Sequence, residues 1–263
     1  MKIGVCIGTN LAKVSVSKAA GYDFIETSVC SVASLSQADF DAFYEETVKC
    51  GIPCEAANCF VPGHIRLVGE ARDDAQVTEY LTNVFPRLKK LGIKTVVFGS
   101  SGARRIPEGM TVEQGRSEIV KFLKNDVAPL AEKYDILIAI EPLRPAECNA
   151  INTVAEGFEV AKAVDSPYVK LLADVAHMYA QNESLESLYD YEGWLIHAHT
   201  SNPSPDESLG HKRIFPAPDD AFRQESFIEP LKAIGTARCS IEASDIDFDI
   251  DAPCAFGVLK PLV

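Results

Sequence analysis

Ile136-Leu-Ile-Ala-Ile140 is an unbroken apolar run that stops on Glu141 and Pro142. A run that short, apolar on both alternating faces, suits a strand buried on both sides, as in a parallel sheet covered by helices. The residue that closes it is a carboxylate, and a charge delivered by a buried strand needs a partner. The same pattern recurs downstream. Val169-Lys-Leu-Leu-Ala173 ends on Asp174, Leu195-Ile-His-Ala-His199 ends on an imidazole, and Cys239-Ser-Ile241 ends on Glu242. Upstream, the runs Ile3–Ile7, Phe24–Glu26, Cys54–Ala57 and Thr95–Phe98 bring the number of candidate strands to eight.

Helical periodicity fills the intervals, most clearly over Ala38–Cys50, Asp74–Leu91, Thr111–Glu132, Val154–Val164 and Phe222–Ala233. Asn152 and Thr153 precede Val154 as a helix start. Strict alternation of strand and helix calls for parallel pairing through right-handed crossovers. Eight strands predict a closed (β/α)₈ barrel of the α/β class, a TIM barrel, rather than an open doubly wound sheet. An open sheet would want a phosphate-cradling turn after the first strand, and Gly4 and Gly8 do not form one. The length of 263 residues fits one such barrel, which needs about 250. No linker divides the chain, so residues 1–263 are read as one domain.

The net charge of −13, from 25 basic and 38 acidic side chains, repels phosphate backbones and anionic membranes. The expectation is therefore no nucleic-acid partner and no membrane partner. No stretch approaches the roughly 18 apolar residues of a membrane span, and the N-terminal run is too short for a signal peptide. The chain is read as cytoplasmic, with homo-oligomerisation left open. The eight cysteines are scattered and expected to be free thiols; Cys50, Cys54 and Cys59 lack the second half of a zinc-ligand pair.

In a (β/α)₈ barrel the C-terminal strand ends carry the chemistry. Strands five to eight would bring Glu141, Asp174, His199 and Glu242 to one point. Three carboxylates and one imidazole suit a divalent ion, with Mn²⁺ favoured and Mg²⁺, Co²⁺ or Zn²⁺ possible. Without a cation they would repel and some would protonate. His197 shares a strand face with His199 and falls one layer deeper. His177, beyond the end of strand six, is better placed for substrate than for metal.

These residues carry a resemblance. Glu141-Pro-Leu-Arg-Pro-Ala-Glu-Cys-Asn149 followed by Asn152-Thr153, the Asp174-Val-Ala-His177 spacing, His197-Ala-His199 and Ile241-Glu242 resemble the xylose-isomerase-like superfamily of sugar (phosphate) isomerases and epimerases, with ketose 3-epimerases the nearest group. Gly21-Tyr-Asp-Phe-Ile-Glu26, Asn58-Cys-Phe-Val-Pro62 and Phe98-Gly-Ser-Ser-Gly102 extend it over nearly the whole chain. The resemblance implies that Glu141, Asp174, His199 and Glu242 bind the metal, that Glu141 and Glu242 form the acid–base pair, and that His177 and Arg213 hold substrate oxygens. Here Asn202–His211 separates Arg213 from strand seven, whereas the superfamily's arginine follows that strand closely.

Five further positions carry expectations. Glu26 is a substrate-binding candidate at the end of strand two, and Phe60 a sugar-facing wall. Arg104 and Arg105 are read as solvated loop charges, with a phosphate grip as the alternative, and Trp194 as core.

The implied chemistry is proton abstraction beside a carbonyl. A metal chelating the substrate oxygens would stabilise the enediolate, and two carboxylates would move the proton. The expected activity is 1,2-isomerisation or C3-epimerisation of a small ketose or related sugar, possibly phosphorylated. The alternatives are a dehydratase of a keto-inositol-like substrate on the same metal and a non-catalytic sugar-binding barrel. An AP endonuclease would need more histidines and a basic face.

Overall fold

The structure, a computed structural model, describes residues 1–203 and 213–263. Parallel strands β1 (Lys2–Cys6), β2 (Phe24–Ser28), β3 (Cys54–Asn58), β4 (Thr95–Phe98), β5 (Leu137–Ile140), β6 (Val169–Asp174) and β7 (Leu195–Thr200) precede a two-stranded antiparallel ribbon, β8 (Asn202–Pro203) and β9 (Arg213–Ile214). β10 (Arg238–Ile241) then completes a closed barrel in the order β1-β10-β7-β6-β5-β4-β3-β2. This is the (β/α)₈ barrel that the strand count predicts, with the short ribbon inserted after β7.

Seven of the eight barrel strands carry β-branched residues, β3 (CEAAN) being the exception, and the helices between them bury their apolar stripes against the barrel. Helix starts are chemically marked. Thr153 caps the helix Val154–Val164 in a reciprocal capping box with Glu156, as the Asn152-Thr153 signal predicts. The expected helix Thr111–Glu132 is interrupted: Val112–Lys121 and Ala128–Tyr134 flank a π-helical stretch, Phe122–Val127. Pro129, near the start of the second helix, supplies no backbone N–H to the ladder, and the widened turns precede it. Periodicity alone missed the helices Leu11–Ala20, Val29–Ser34, Val175–Ala180 and Phe248–Leu259. Two of these span only six residues, too few to display a period.

Register sets the rim. Asp174 pairs with His199 across β6 and β7, and His199 pairs with Ser240 across β7 and β10. The backbone N–H of Glu242 donates to the Thr200 carbonyl at 3.0 Å, so β10 keeps its alignment one residue beyond its end. Val97, Ala139 and Leu172 form a small buried cluster apart from the main core. Each lies two residues before Gly99, Glu141 or Asp174, so alternation stacks the polar rim on an apolar layer. Among the described residues, all eight cysteines are free and no helix is long and apolar enough to cross a membrane.

Candidate active site

Glu141 directly follows β5, and its N–H donates to the Phe98 carbonyl of β4 at 3.2 Å. Asp174 ends β6 and caps the helix Val175–Ala180: its Oδ1 accepts the N–H groups of Ala176 at 2.8 Å and His177 at 3.1 Å. Capping uses one oxygen and leaves Oδ2 for the barrel mouth. His199 ends up with Nδ1 facing three acids, 3.4 Å from Glu141 Oε1, 3.7 Å from Asp174 Oδ2 and 3.1 Å from Glu242 Oε2. One ligand atom from each of these four residues lies within 4.8 Å of every other. Strands five to eight of the barrel therefore do converge.

The other face of His199 explains its orientation. Nε2 lies 2.9 Å from Glu26 Oε1, and Nε2 of His197 lies 2.8 Å from Glu26 Oε2. All three side chains are fully buried. The Glu26 carboxylate accepts a hydrogen bond from Nε2–H of each imidazole, so the His199 nitrogen that faces the acidic cluster, and that a cation would take on displacing its proton, is Nδ1. Burial alone would raise the Glu26 pKa, but the charges of His199 and His197 outweigh it and hold the carboxyl below its usual range. Burial would likewise lower the His199 pKa; Glu26, then Glu141, reverse this and raise it well above the ordinary imidazole value. The same balance leaves the Glu141 pKa below the usual carboxylate range. Glu26 and Glu141 are thus held ionised, with the protonated His199 imidazole between them.

The donor set fits a divalent cation. It offers three carboxylates and one correctly presented imidazole nitrogen. Oε2 of Glu242 faces His199 Nδ1 at 3.1 Å and the Arg213 guanidinium, while Oε1 accepts from Asn58 Nδ2 at 2.7 Å. A second grouping, Cys6 with Glu26 and His199, is as compact. It is the poorer candidate, because Glu26 is already engaged with both imidazoles and burial pushes the Cys6 pKa well up.

Above the cluster opens a cavity of about 390 Å³, lined by Glu141, Glu147, His177, Arg213, Glu242 and the loop Gly99–Gly102, among others. Arg213 reaches it from β9, with Nη1 3.1 Å from Asp174 Oδ2 and also against Glu242 Oε2. Its Nη2 lies 2.6 Å from His177 Nε2, and Nδ1 of His177 accepts the Arg144 N–H at 3.2 Å. The ribbon β8–β9 is what returns the chain to the mouth after β7. Most of the intervening stretch, residues 204–212, lies outside the described residues.

Several expectations are corrected. Glu26 does not border the cavity; it is buried beneath His199, bound to two imidazoles. Phe60 is no sugar-facing wall: its ring is fully buried, edge-on to Phe85 and Phe98, because its side chain turns toward the outer core. Arg104 is fully buried rather than solvated and is committed to two backbone carbonyls, whereas Arg105 is exposed, as expected of a loop charge, with Nη2 donating to the Glu147 carbonyl at 2.5 Å. Trp194 packs against the core, edge-on to Phe158, as expected. The residues that sequence reasoning left without a role are Glu147 and Asn58. Glu147 lies six positions after Glu141 and pairs with Arg144 at 2.7 Å, and Asn58 ends β3.

Residues 14–254 match the family model described as xylose isomerase-like TIM barrel. The chain belongs to this family. The xylose isomerase-like barrel has relatives of known name. An inosose isomerase of Bacillus subtilis (strain 168) is 25% identical over 171 residues, 62% of this chain and 59% of that protein. The match thus spans about three fifths of that relative's length. A probable ketose 3-epimerase of Synechocystis sp. is 41% identical over 59 residues, 22% of this chain and 21% of that protein. Among solved structures, a D-allulose 3-epimerase from Methylomonas sp. superposes with a TM-score of 0.83 at 17% identity, covering 100% of this chain and 97% of that one. The IOLI protein with a bound zinc atom gives 0.72 at 22% identity, covering 100% and 96%. At these identities the structural likeness is one of fold.

Proposed function

We propose that this xylose isomerase-like barrel is a divalent-metal-dependent isomerase or epimerase of a small ketose or a related polyol-derived ketone, with Mn²⁺ the favoured ion. The observation that carries the reading is the cluster of Glu141, Asp174, His199 and Glu242, of which Glu141 and Glu242 line the cavity. The names of the relatives, an inosose isomerase and ketose 3-epimerases, support the substrate class.

Those four residues would hold the ion, which supplies Lewis-acid stabilisation of negative charge on the substrate oxygens. Every other task falls to the chain. Glu141 and Glu242 both border the cavity, and a substrate between them presents one face of its reacting carbon to each carboxylate. One carboxylate takes the proton beside the carbonyl; the other returns one from its own side, which inverts that carbon. Each proton-transfer role contributes roughly 10²–10⁴ in rate. Asn58 engages Oε1 of Glu242, and Oε2 is the oxygen turned to Arg213 and His199. Arg213 and His177 donate to substrate hydroxyl or carbonyl oxygens, and Glu147 accepts from a hydroxyl. The cavity volume of about 390 Å³ suits a monosaccharide-sized ligand.

The test is solvent exchange. Free and phosphorylated ketoses are incubated with the protein and Mn²⁺ in D₂O and followed by NMR. Deuterium should enter the carbon next to the ketose carbonyl, and Glu242→Gln should abolish that exchange while the barrel stays folded. Undiminished exchange in Glu242→Gln refutes the acid–base role, and an unsaturated ketone product favours the dehydratase.

A further inference from the structure

The loop after β4 holds a buried charge with an unusual set of partners. Arg104 is fully buried, and among the described residues no carboxylate lies within ion-pair distance of it. Its guanidinium instead donates from Nη1 to the Phe98 carbonyl at 2.7 Å and from Nη2 to the Glu141 carbonyl at 2.5 Å. It also stands over the Phe98 ring, 5.3 Å from the centroid. Burying a cation without an anion is expensive, and an apolar side chain of similar volume would fill the same space at less cost. What only a guanidinium does there is bind two divergent carbonyls at once through a rigid fork.

Both carbonyls belong to the seat of Glu141. Phe98 O also accepts the Glu141 N–H, so the Glu141 peptide groups are gripped on both sides by one hub. Glu141 lies past the last residue of β5 and before Pro142, where the sheet offers its carbonyl no ladder partner. The neighbouring Gly99 completes the seat: a Cβ on it would sit on Glu141 Oε2, so the carboxylate rests directly against that α-carbon.

We infer that Arg104 is a positioning residue for Glu141, setting through its backbone where the carboxylate stands in the four-residue cluster. The inference rests on Glu141 being a metal ligand. Arg104 touches neither substrate nor ion, and its effect passes through the Glu141 carbonyl.

The test measures Mn²⁺ affinity by isothermal titration on folded protein, with circular dichroism confirming the fold. Four proteins are compared: wild type, Arg104→Met, Arg104→Lys, and Glu141→Gln as the ligand control. Support for an aligned ligand is worth about 10–100-fold in metal affinity. Arg104→Met should lose about that much and lower kcat with little change in KM. Arg104→Lys, which can reach one carbonyl, should fall between Met and wild type. A purely structural arginine would lower Tm and leave the affinity of folded protein unchanged. Wild-type Mn²⁺ affinity in folded Arg104→Met overturns the inference. If that variant does not fold, wild-type affinity in Arg104→Lys overturns it and reduced affinity supports it. Should wild type itself bind no Mn²⁺, the metal-centre reading falls first and takes this inference with it. Wild-type binding that Glu141→Gln abolishes and the Arg104 variants retain defeats this inference alone.

Discussion

Replacing Glu26 with Gln changes one oxygen to an NH₂ group at the point where two buried imidazoles meet. In the native arrangement the carboxylate accepts from Nε2 of both His197 and His199, at 2.8 and 2.9 Å. An amide accepts through one atom and donates through the other. If its NH₂ faces His199, Nε2 must become the acceptor, and the proton moves to Nδ1, among the three carboxylates. The lone pair needed for a cation is then gone. If its NH₂ faces His197, the His197 proton moves to Nδ1, a buried atom with no hydrogen-bond partner. A buried donor left unmade costs about 1–3 kcal/mol. The first orientation costs about 10–100-fold in metal affinity, or about 1.4–2.7 kcal/mol. Glu26→Gln should therefore lose either metal affinity by titration or stability by urea unfolding, by the amounts given. A variant that matches wild type in both measurements refutes the reasoning, since it would mean that Glu26 does not set which His199 nitrogen carries the proton.

Three further outcomes follow from the same geometry. Asp174→Asn should keep the helix Val175–Ala180, because Asn caps as well as Asp, yet lose the charge at Oδ2; Tm near wild type with Mn²⁺ affinity clearly reduced is the expected pair of results, and unchanged affinity counts against the cluster. Phe60→Ala should cost about 3–5 kcal/mol by denaturant unfolding, as a core aromatic does, with KM of the folded enzyme unchanged. A large KM rise at unchanged stability would restore the sugar-facing role. Glu55, bridged to Lys2 at 2.5 Å and Arg238 at 2.7 Å, has burial raising its pKa and those two partners lowering it further, for a net depression. A depressed folded-state value means its contribution is present above the ordinary Glu value and fades as pH falls through the folded one. At this partly exposed site the stability gap between wild type and Glu55→Gln should be about 0.2–1 kcal/mol at neutral pH and close on acidification; a gap that widens in acid would reverse the sign.

The fold and four residues of the site were legible because barrels write them in one dimension. A parallel strand buried on both faces is an apolar run, and a polar residue at its C-terminal end points to the mouth. Glu141, Asp174, His199 and Glu242 all obey that grammar. Glu26 looked like a strand end in the sequence, which is why it suggested substrate, but β2 runs on to Ser28. Its depth within the barrel and its two partners, 171 and 173 positions away, are three-dimensional facts. Phe60 and Arg104 sit in loops, where no period tells which way a side chain turns. Arg104 in particular has the charge of a surface residue and backbone carbonyls for partners, and carbonyls leave no mark in a sequence. Glu147 lay within the quoted motif, and its spacing of six from Glu141 in an irregular loop carried no geometric signal. Arg213 reached the site only because β8 and β9 fold back over the rim, a ribbon too short to show alternation.

The claim beneath all of this is that four strand-end side chains hold one cation. Titration of metal-stripped protein with Mn²⁺ measures it directly, by calorimetry and by loss of the free-ion electron paramagnetic resonance signal. The account predicts one tight site per chain, removed by Glu141→Gln. Saturation with no bound ion, or an equally tight site that survives that substitution, contradicts it.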